Sequence, residues 1–421
     1  MKICVIGTGY IGSVTGACLA EMGHYIIFVG RDTKKLDGLQ AGKSPIFEPG
    51  LDQLLLKNTE RISTTTDITD AVRKTEISFI CVGTPPLKDG SSDLSQIEAV
   101  SHSIGKAIRS DTKYHTIVTK STVLPGTIEN LIIPILEKES GKKPGVDFGV
   151  ASNPEFLKEG TAIEDFFKTD RVVIGAQDQK SRDLLEKLYK PLNVPIFTTT
   201  IRTSEMIKFA SNAFLATKIS FANEIGNLCK ELGIDSYSVF EGVGLDTRIN
   251  PKFFRTGIGF GGSCFPKDVC ALIVHAKSKG ITPKILTSVM ATNDDQPKRM
   301  IALLKKHLNP KGRTIGVLGL AFKPDTDDIR ESRAIPIITL LLKAGARVKV
   351  YDPVAMSNFR QQFPDLIYTT SGSDVLTADA VLIVTEWKEF ETLDYQGKLV
   401  IDGRRLEKAR KEAAVYEGVC W

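Results

Sequence analysis

The chain has 421 residues, 42% of them hydrophobic and 25% charged, the balance expected of a globular protein long enough for two or three domains. A net charge of +5 without a long basic block argues against nucleic acid as the main partner, and no apolar run is long enough to predict a membrane span. Seven scattered cysteines fit a reducing, cytoplasmic setting rather than a disulfide framework, and five histidines with no familiar zinc spacing predict no metal site.

The first apolar stretch, "MKICVIGTGYIGSVTGA", is interrupted by Gly7, Gly9 and Gly12, so it reads as a strand and turn rather than a signal peptide. Further strand candidates are 25–29, 77–82, 115–119 and 171–174, separated by helical stretches. Continuous apolar strands alternating with helices predict a parallel sheet covered on both faces. Gly7, Gly9 and Gly12 have the G-x-G-x-x-G spacing, follow strand 2–6 at once and open a helix predicted to end near Gly23. Gly7 allows the tight turn, Gly9 the approach of a pyrophosphate and Gly12 close helix–strand packing, with Thr8, Tyr10 and Ile11 completing the loop. The helix N-terminus then favours phosphate.

A carboxylate is expected at the end of the second strand, for the adenosine ribose. Gly30–Arg31 stands there instead, with Asp32 two residues late and Lys34 and Lys35 following. An acid would repel a 2′-phosphate, whereas this pair would accept one. Asp32, or a shift of the strand, would still serve NAD. The cofactor is therefore expected to be NAD or NADP.

Residues 201–232 contain no proline and one glycine, with apolar residues at helical spacing, and predict one helix about 45 Å long at 1.5 Å per residue. Such a helix would join two domains and offer a surface for a homodimer or higher homo-oligomer. After another helical region near 283–308, strands are predicted in 313–322, 346–353, 379–387 and 397–405. The expected fold is α/β: two Rossmann-like parallel-sheet domains, 1–200 and 310–421, joined by a helical region, 201–309, containing the long helix.

"GIGFGGSCFPKD" (257–268), beside "NPEFLKEGTA" (153–162) and "SEMIKFASNAFLATKISFANEI" (204–225), resembles the UDP-glucose/GDP-mannose dehydrogenase family. The resemblance extends through "ICVGTPP" (80–86), "KSTVLPGT" (120–127) and "GLAFKPDTDDIRES" (319–332), and so covers essentially the whole chain. It implies oxidation of a nucleotide sugar's CH2OH to a carboxylate with two nicotinamide cofactors per turnover. Cys264 would be the nucleophile that carries the aldehyde carbon through a thiohemiacetal and a thioester. Lys208 and Asn212, at i and i+4 of one helix, would stabilise the oxyanion; Asp268 would manage a proton through water. Glu155, with Thr122 positioning the water, is the implied base for thioester hydrolysis. The cofactor set gains Arg31, Lys35, Gly83, Thr84, Ser121, Glu159, Lys267 and Arg330.

On the substrate side the resemblance implies Glu155, Phe156, Leu157, Lys158, Lys208, Asn212, Phe253, Arg255, Gly261, Lys323 and Arg404. Arg248 would reach across a dimer interface. Gly316, Gly319 and Ala321 do not complete a second dinucleotide loop, and the carboxy-terminal domain is implied to hold the UDP portion. Phe265 after the cysteine and Lys267 favour UDP-glucose over GDP-mannose or a UDP-N-acetylhexosamine. Two readings of other kinds are a nucleotide-sensing protein without turnover and a one-step hydroxyacid dehydrogenase, which would leave Cys264 idle.

Overall fold

The aliphatic runs become strands, and their parallel pairing sets the architecture. The computed structural model describes residues 1–110 and 113–421 and divides into two units, Met1–Ser211 and Asn212–Trp421. In the first unit the strands are β1 (Lys2–Ile6), β2 (Tyr25–Val29), β3 (Ile62–Thr65), β4 (Ile77–Ile80), β5 (His115–Thr119), β6 (Phe148–Ser152), β7 (Val172–Ala176) and β8 (Ile196–Thr199). Their order is β3-β2-β1-β4-β5-β6-β7-β8. Every pairing is parallel except β6 with β7, where Ala151 faces Ala176 in antiparallel register. The parallel sheet expected from the strand–helix alternation forms, with this one antiparallel junction. Antiparallel neighbours can be joined without crossing the sheet, so the connection 153–171 stays at the edge where β6 ends.

β4, β5, β6 and β7 are buried along their whole length, as strands covered on both faces must be. Helix Tyr10–Glu21 lies so close to β2 that a Cβ on Gly16 would sit 2.3 Å from the Phe28 ring. The long helix forms as Ile201–Glu231. It stops one residue before the predicted end because Gly233 takes φ 68° and Ile234 N–H turns back to Cys229 O at 2.8 Å.

The second unit has helices Ser236–Gly244, Phe265–Ser278 and Lys284–His307, then a six-stranded sheet. Its strands are β9 (Thr314–Leu318), β10 (Arg347–Tyr351), β11 (Ile367–Tyr368), β12 (Ala380–Ile383), β13 (Leu399–Asp402) and β14 (Val415–Gly418), in the all-parallel order β11-β10-β9-β12-β13-β14. Ile315, Val317, Val381, Leu382, Val400 and Ile401 form the centre of its core. The loop after β9 is held by Asp352, the residue after β10. This buried carboxylate accepts hydrogen bonds from Leu320 N (2.7 Å), Ala321 N (3.0 Å), Val354 N (3.0 Å), Ala355 N (2.8 Å) and Trp387 Nε1 (3.1 Å).

Asp352→Ala leaves these buried donors without their acceptor, and a loss of about 3 kcal/mol or more is expected. Thermal unfolding of the variant should show the carboxy-terminal unit melting first; an unchanged profile would contradict this account.

Candidate active site

The loop after β1 is built around its glycines. Gly7 has φ 111°, and a Cβ there would lie 2.6 Å from Cys81 O; one on Gly12 would lie 1.8 Å from Gly7 O. Both glycines are therefore required by packing. Gly9 differs: a Cβ would meet nothing within 4 Å. Gly9 is also the N-cap of helix Tyr10–Glu21 and provides no side-chain cap. An open cradle at an uncapped helix N-terminus fits the pyrophosphate of a dinucleotide.

The neighbouring strand ends are laced to one another. Thr84 Oγ1 donates to Thr122 O at 3.0 Å, joining the loops after β4 and β5, and Ser121 Oγ donates to Val82 O at 2.6 Å beside Gly83. Tyr10 hydroxyl donates to Glu48, whose carboxylate also accepts from Gly160 N (2.6 Å) and Ala162 N (2.7 Å). Glu48 thus ties the glycine loop's helix to the segment carrying Leu157, Lys158 and Glu159. Lys158 is exposed and pairs with Asp165 at 2.9 Å, so its ammonium is directed within its own segment.

Glu155 and Lys208 form a buried ion pair, Nζ to Oε1 2.9 Å, each side chain 5% exposed. The other Glu155 oxygen accepts from Leu157 N at 2.5 Å, and Lys208 lies over the Phe156 ring, whose centroid is 4.1 Å from the Arg171 guanidinium. Two buried groups here were not singled out in the sequence. Lys120 donates to Asn153 Oδ1 at 3.0 Å, and burial pushes its ammonium down to about 8. With Asn153, Glu155, Phe156 and Arg171 it lines a cavity of about 40 Å³. Glu205, one turn before Lys208, accepts from Gly126 N (2.6 Å) and Ile128 N (2.9 Å) and so holds the loop that begins at Thr122. Burial pushes this carboxyl up to about 7. The only sequence signal for Lys120 was a lysine directly after an apolar strand, and Glu205 had none.

In the second unit Asp268 is 1% exposed and accepts from Asn212 Nδ2 and Lys267 Nζ, each at 2.6 Å. Cys264 is exposed and stands at the N-cap position of helix Phe265–Ser278 without a side-chain cap hydrogen bond, at the end where the helix dipole favours an anion. The glycines before it have a different role from a ligand-facing one. A Cβ would fall 2.2 Å from Gly403 O at Gly257, 2.4 Å from Asn293 Oδ1 at Gly259, 2.2 Å from Glu331 O at Gly261 and 2.7 Å from the Phe322 ring at Gly262. The protein itself fills the space that glycine leaves. Asn293, fully buried, accepts from Phe260 N (2.7 Å) and donates to Phe260 O (3.1 Å), and Asn223 accepts from Gly257 N (2.8 Å). These amides, absent from the sequence reading, fix the backbone leading to Cys264.

The remaining residues of this unit are more dispersed. Phe253 has φ 69° and lies 6.3 Å from the Phe265 ring. Arg255 is exposed, 3.6 Å from Glu386. Arg404 donates to Val384 O at 2.7 Å; Asp402, accepting from Arg404 N, Arg405 N and Leu406 N, fixes that turn, and burial pushes its carboxyl up to about 6. Lys323 is half-buried beside Phe322. Arg248 and Arg330 are exposed and paired with Asp246 and Asp328, two residues away in each case. Arg31 and Lys35 are exposed beyond β2. Among the described residues no cluster of metal-ligating side chains occurs, and no helix is long and apolar enough to cross a membrane.

Residues 1–193 match the NAD binding domain of the UDP-glucose/GDP-mannose dehydrogenase family, 202–295 its central domain and 316–409 its UDP binding domain. The UDP-glucose 6-dehydrogenase AglM of Haloferax volcanii is 44% identical, with all of both chains covered. A GDP-mannose 6-dehydrogenase of Pseudomonas putida is 41% identical, again over all of both chains. A solved UDP-glucose dehydrogenase from the archaeon Pyrobaculum islandicum is 46% identical, covering 100% of this chain and 98% of its own, with a TM-score of 0.96.

The raised Glu205 carboxyl makes stability depend on pH. Between its ordinary 4.5 and about 7 the folded protein keeps a proton that the unfolded chain releases. Stability from this group is therefore complete below pH 4.5 and declines as pH rises to about 7, by roughly 3 kcal/mol in all. Comparing the pH dependence of denaturant unfolding with that of Glu205→Gln should show this slope flattened in the variant.

Proposed function

The chain belongs to the UDP-glucose/GDP-mannose dehydrogenase family, and from that premise we propose that it oxidises the C6 alcohol of UDP-glucose to the carboxylate of UDP-glucuronate. The chain is an NAD-dependent oxidoreductase of a family that acts on nucleotide sugars, and its UDP binding domain favours a UDP-sugar. The observation that carries the fuller reading is the exposed Cys264 at a helix N-terminus, four residues before a buried Asp268 held by Asn212 and Lys267. A one-step alcohol oxidation needs no such nucleophile.

Bound at the glycine loop, NAD supplies the hydride acceptor for both oxidation stages, one molecule per stage. The residues of the chain account for the rest. Asp268, through water, takes the proton of the C6 hydroxyl, and Lys208 and Asn212 stabilise the oxygen as it gains negative charge. The Cys264 thiolate adds to the aldehyde carbon, forming the C–S bond of a thiohemiacetal and later retaining the acyl group as a thioester. Glu155, with Thr122 orienting the water, assists hydrolysis, which breaks that bond and restores the thiol. Each sugar consumes one water, gives up two hydrides and releases three protons, so charge and electrons balance. Arg31, Lys35, Gly83, Thr84, Ser121, Glu159, Lys267 and Arg330 serve the cofactor. Phe156, Leu157, Lys158, Phe253, Arg255, Gly261, Lys323 and Arg404 serve the sugar nucleotide.

Association also belongs to this reading. Phe214, Phe221 and Leu228 recur every seven residues along the long helix and are 65%, 52% and 55% exposed. A helical stripe of large apolar residues supports a homodimer, with Arg248 contributing to its partner's site. The GDP-mannose 6-dehydrogenase at 41% identity supports a second reading, the same chemistry on GDP-mannose.

A substrate panel with NADH counted per product tests the proposal. UDP-glucose should yield two NADH per sugar, and Cys264→Ser should lower uronate formation on the order of 10³-fold or more. Turnover with GDP-mannose alone would transfer the assignment to the second reading; one NADH per sugar would indicate a one-step dehydrogenase, and binding without turnover a sensor. For the dimer, Phe221→Glu should shift sedimentation toward the monomer, whereas an unchanged species would remove the long helix as the interface.

A further inference from the structure

The corner beyond β2 is not explained by an NAD site alone. In a dinucleotide fold the adenosine ribose meets the end of the second strand, where a carboxylate binds its hydroxyls and rejects a 2′-phosphate. Here the first residue after β2 is Gly30, and Thr8 of the glycine loop fills the adjoining space: a Cβ on Gly30 would lie 3.1 Å from both Thr8 Oγ1 and Cγ2. The nearby acids are engaged with backbone. Asp32 caps helix Thr33–Gln40 by accepting from Lys35 N at 3.3 Å. Gly30 N–H meets Thr65 O at the end of β3, and Asp67, just beyond, accepts from Thr69 N (2.8 Å) and Asp70 N (3.1 Å).

The cations at this corner are not engaged. Arg31 is exposed and makes no hydrogen bond or ion pair among the described residues, and the side chains of Lys34 and Lys35 are likewise exposed without a charged partner. The first turn of helix Thr33–Gln40 has no acid, so its dipole adds to theirs. A planar guanidinium suits a phosphate through paired N–H donors.

We propose that this corner reads a 2′-phosphate, so that the enzyme takes NADP as well as NAD, and that Arg31 is the residue that determines their relative affinity. The inference rests on a dinucleotide occupying the glycine loop and is independent of which sugar is oxidised. The test is calorimetric binding of NADPH and NADH to the purified chain, with adenosine 2′,5′-bisphosphate and 5′-AMP as probes. NADPH is expected to bind within about tenfold of NADH. Arg31→Ala should weaken NADPH and the bisphosphate by about 10- to 100-fold, and NADH by a clearly smaller factor. Added salt should weaken NADPH more than NADH, and Gly30→Asp should favour NADH. NADPH binding more than about tenfold weaker than NADH in the unmodified chain, or an equal loss of both on Arg31→Ala, overturns the proposal. Binding of neither dinucleotide would overturn the dinucleotide site and this inference with it. A failure of every sugar nucleotide in turnover assays would leave the binding comparison intact.

Discussion

Parallel strand pairing is the constraint from which the candidate site follows. Parallel neighbours point the same way, so the segments after β1, β2, β4, β5 and β6 all emerge at one edge of the first sheet. Those segments carry Gly7–Gly12, Gly30–Arg31, Gly83–Thr84, Ser121–Thr122 and Glu155–Glu159. The order reverses between β1 and β4, the place where open α/β sheets leave a crevice for a ligand. The second sheet repeats the rule by itself, with Lys323, Asp352, Glu386 and Arg404 following β9, β10, β12 and β13. In the first sheet the acid position after the second strand is vacated to glycine. In the second it is filled by Asp352, which secures the loop after β9 instead of facing a ribose.

Buried charge gives the site its chemical potential and requires support. Transferring a carboxylate and an ammonium from water costs several kcal/mol each, and their mutual attraction repays it only with good geometry and further hydrogen bonds. Glu155 and Lys208 meet that condition through their 2.9 Å contact, the Leu157 N–H and the Phe156 ring. Asp268 meets it with two donors at 2.6 Å. Such arrangements are weak sources of stability; in the proposed oxidation they would serve proton transfer and oxyanion stabilisation.

The two glycine-rich stretches look alike in sequence and act differently. In the first, Gly9 alone leaves open space, suited to a ligand. In the stretch before Cys264, all four glycines face protein: Gly403, Asn293, Glu331 and Phe322. The permissive backbone is held by buried amides, so Cys264 is presented from a fixed loop. Glycine spacing cannot separate these uses, because it records the absence of a side chain and not what occupies the space.

Local chemistry made the strands β1, β2, β4, β5 and β7, the long helix and the first glycine loop legible, because β-branched runs, helical periodicity and glycine spacing act over a few residues. The sequence reading missed β3 and β8, edge strands ending in threonines, and β6, whose Gly149 weakens the strand pattern but is required by the Ser181 side chain, 1.8 Å from where its Cβ would be. Residue types and motif resemblance also singled out Cys264, Lys208, Asp268 and Glu155 without geometry. Tertiary structure alone decided which charges pair, that Lys120 and Glu205 are buried with shifted protonation, and that Arg31 stands without an acid partner. Desolvation and Coulomb interaction depend on distance in space. Residues far apart along the chain, such as Glu155 and Lys208, acquire their chemistry only when folding removes the water between them.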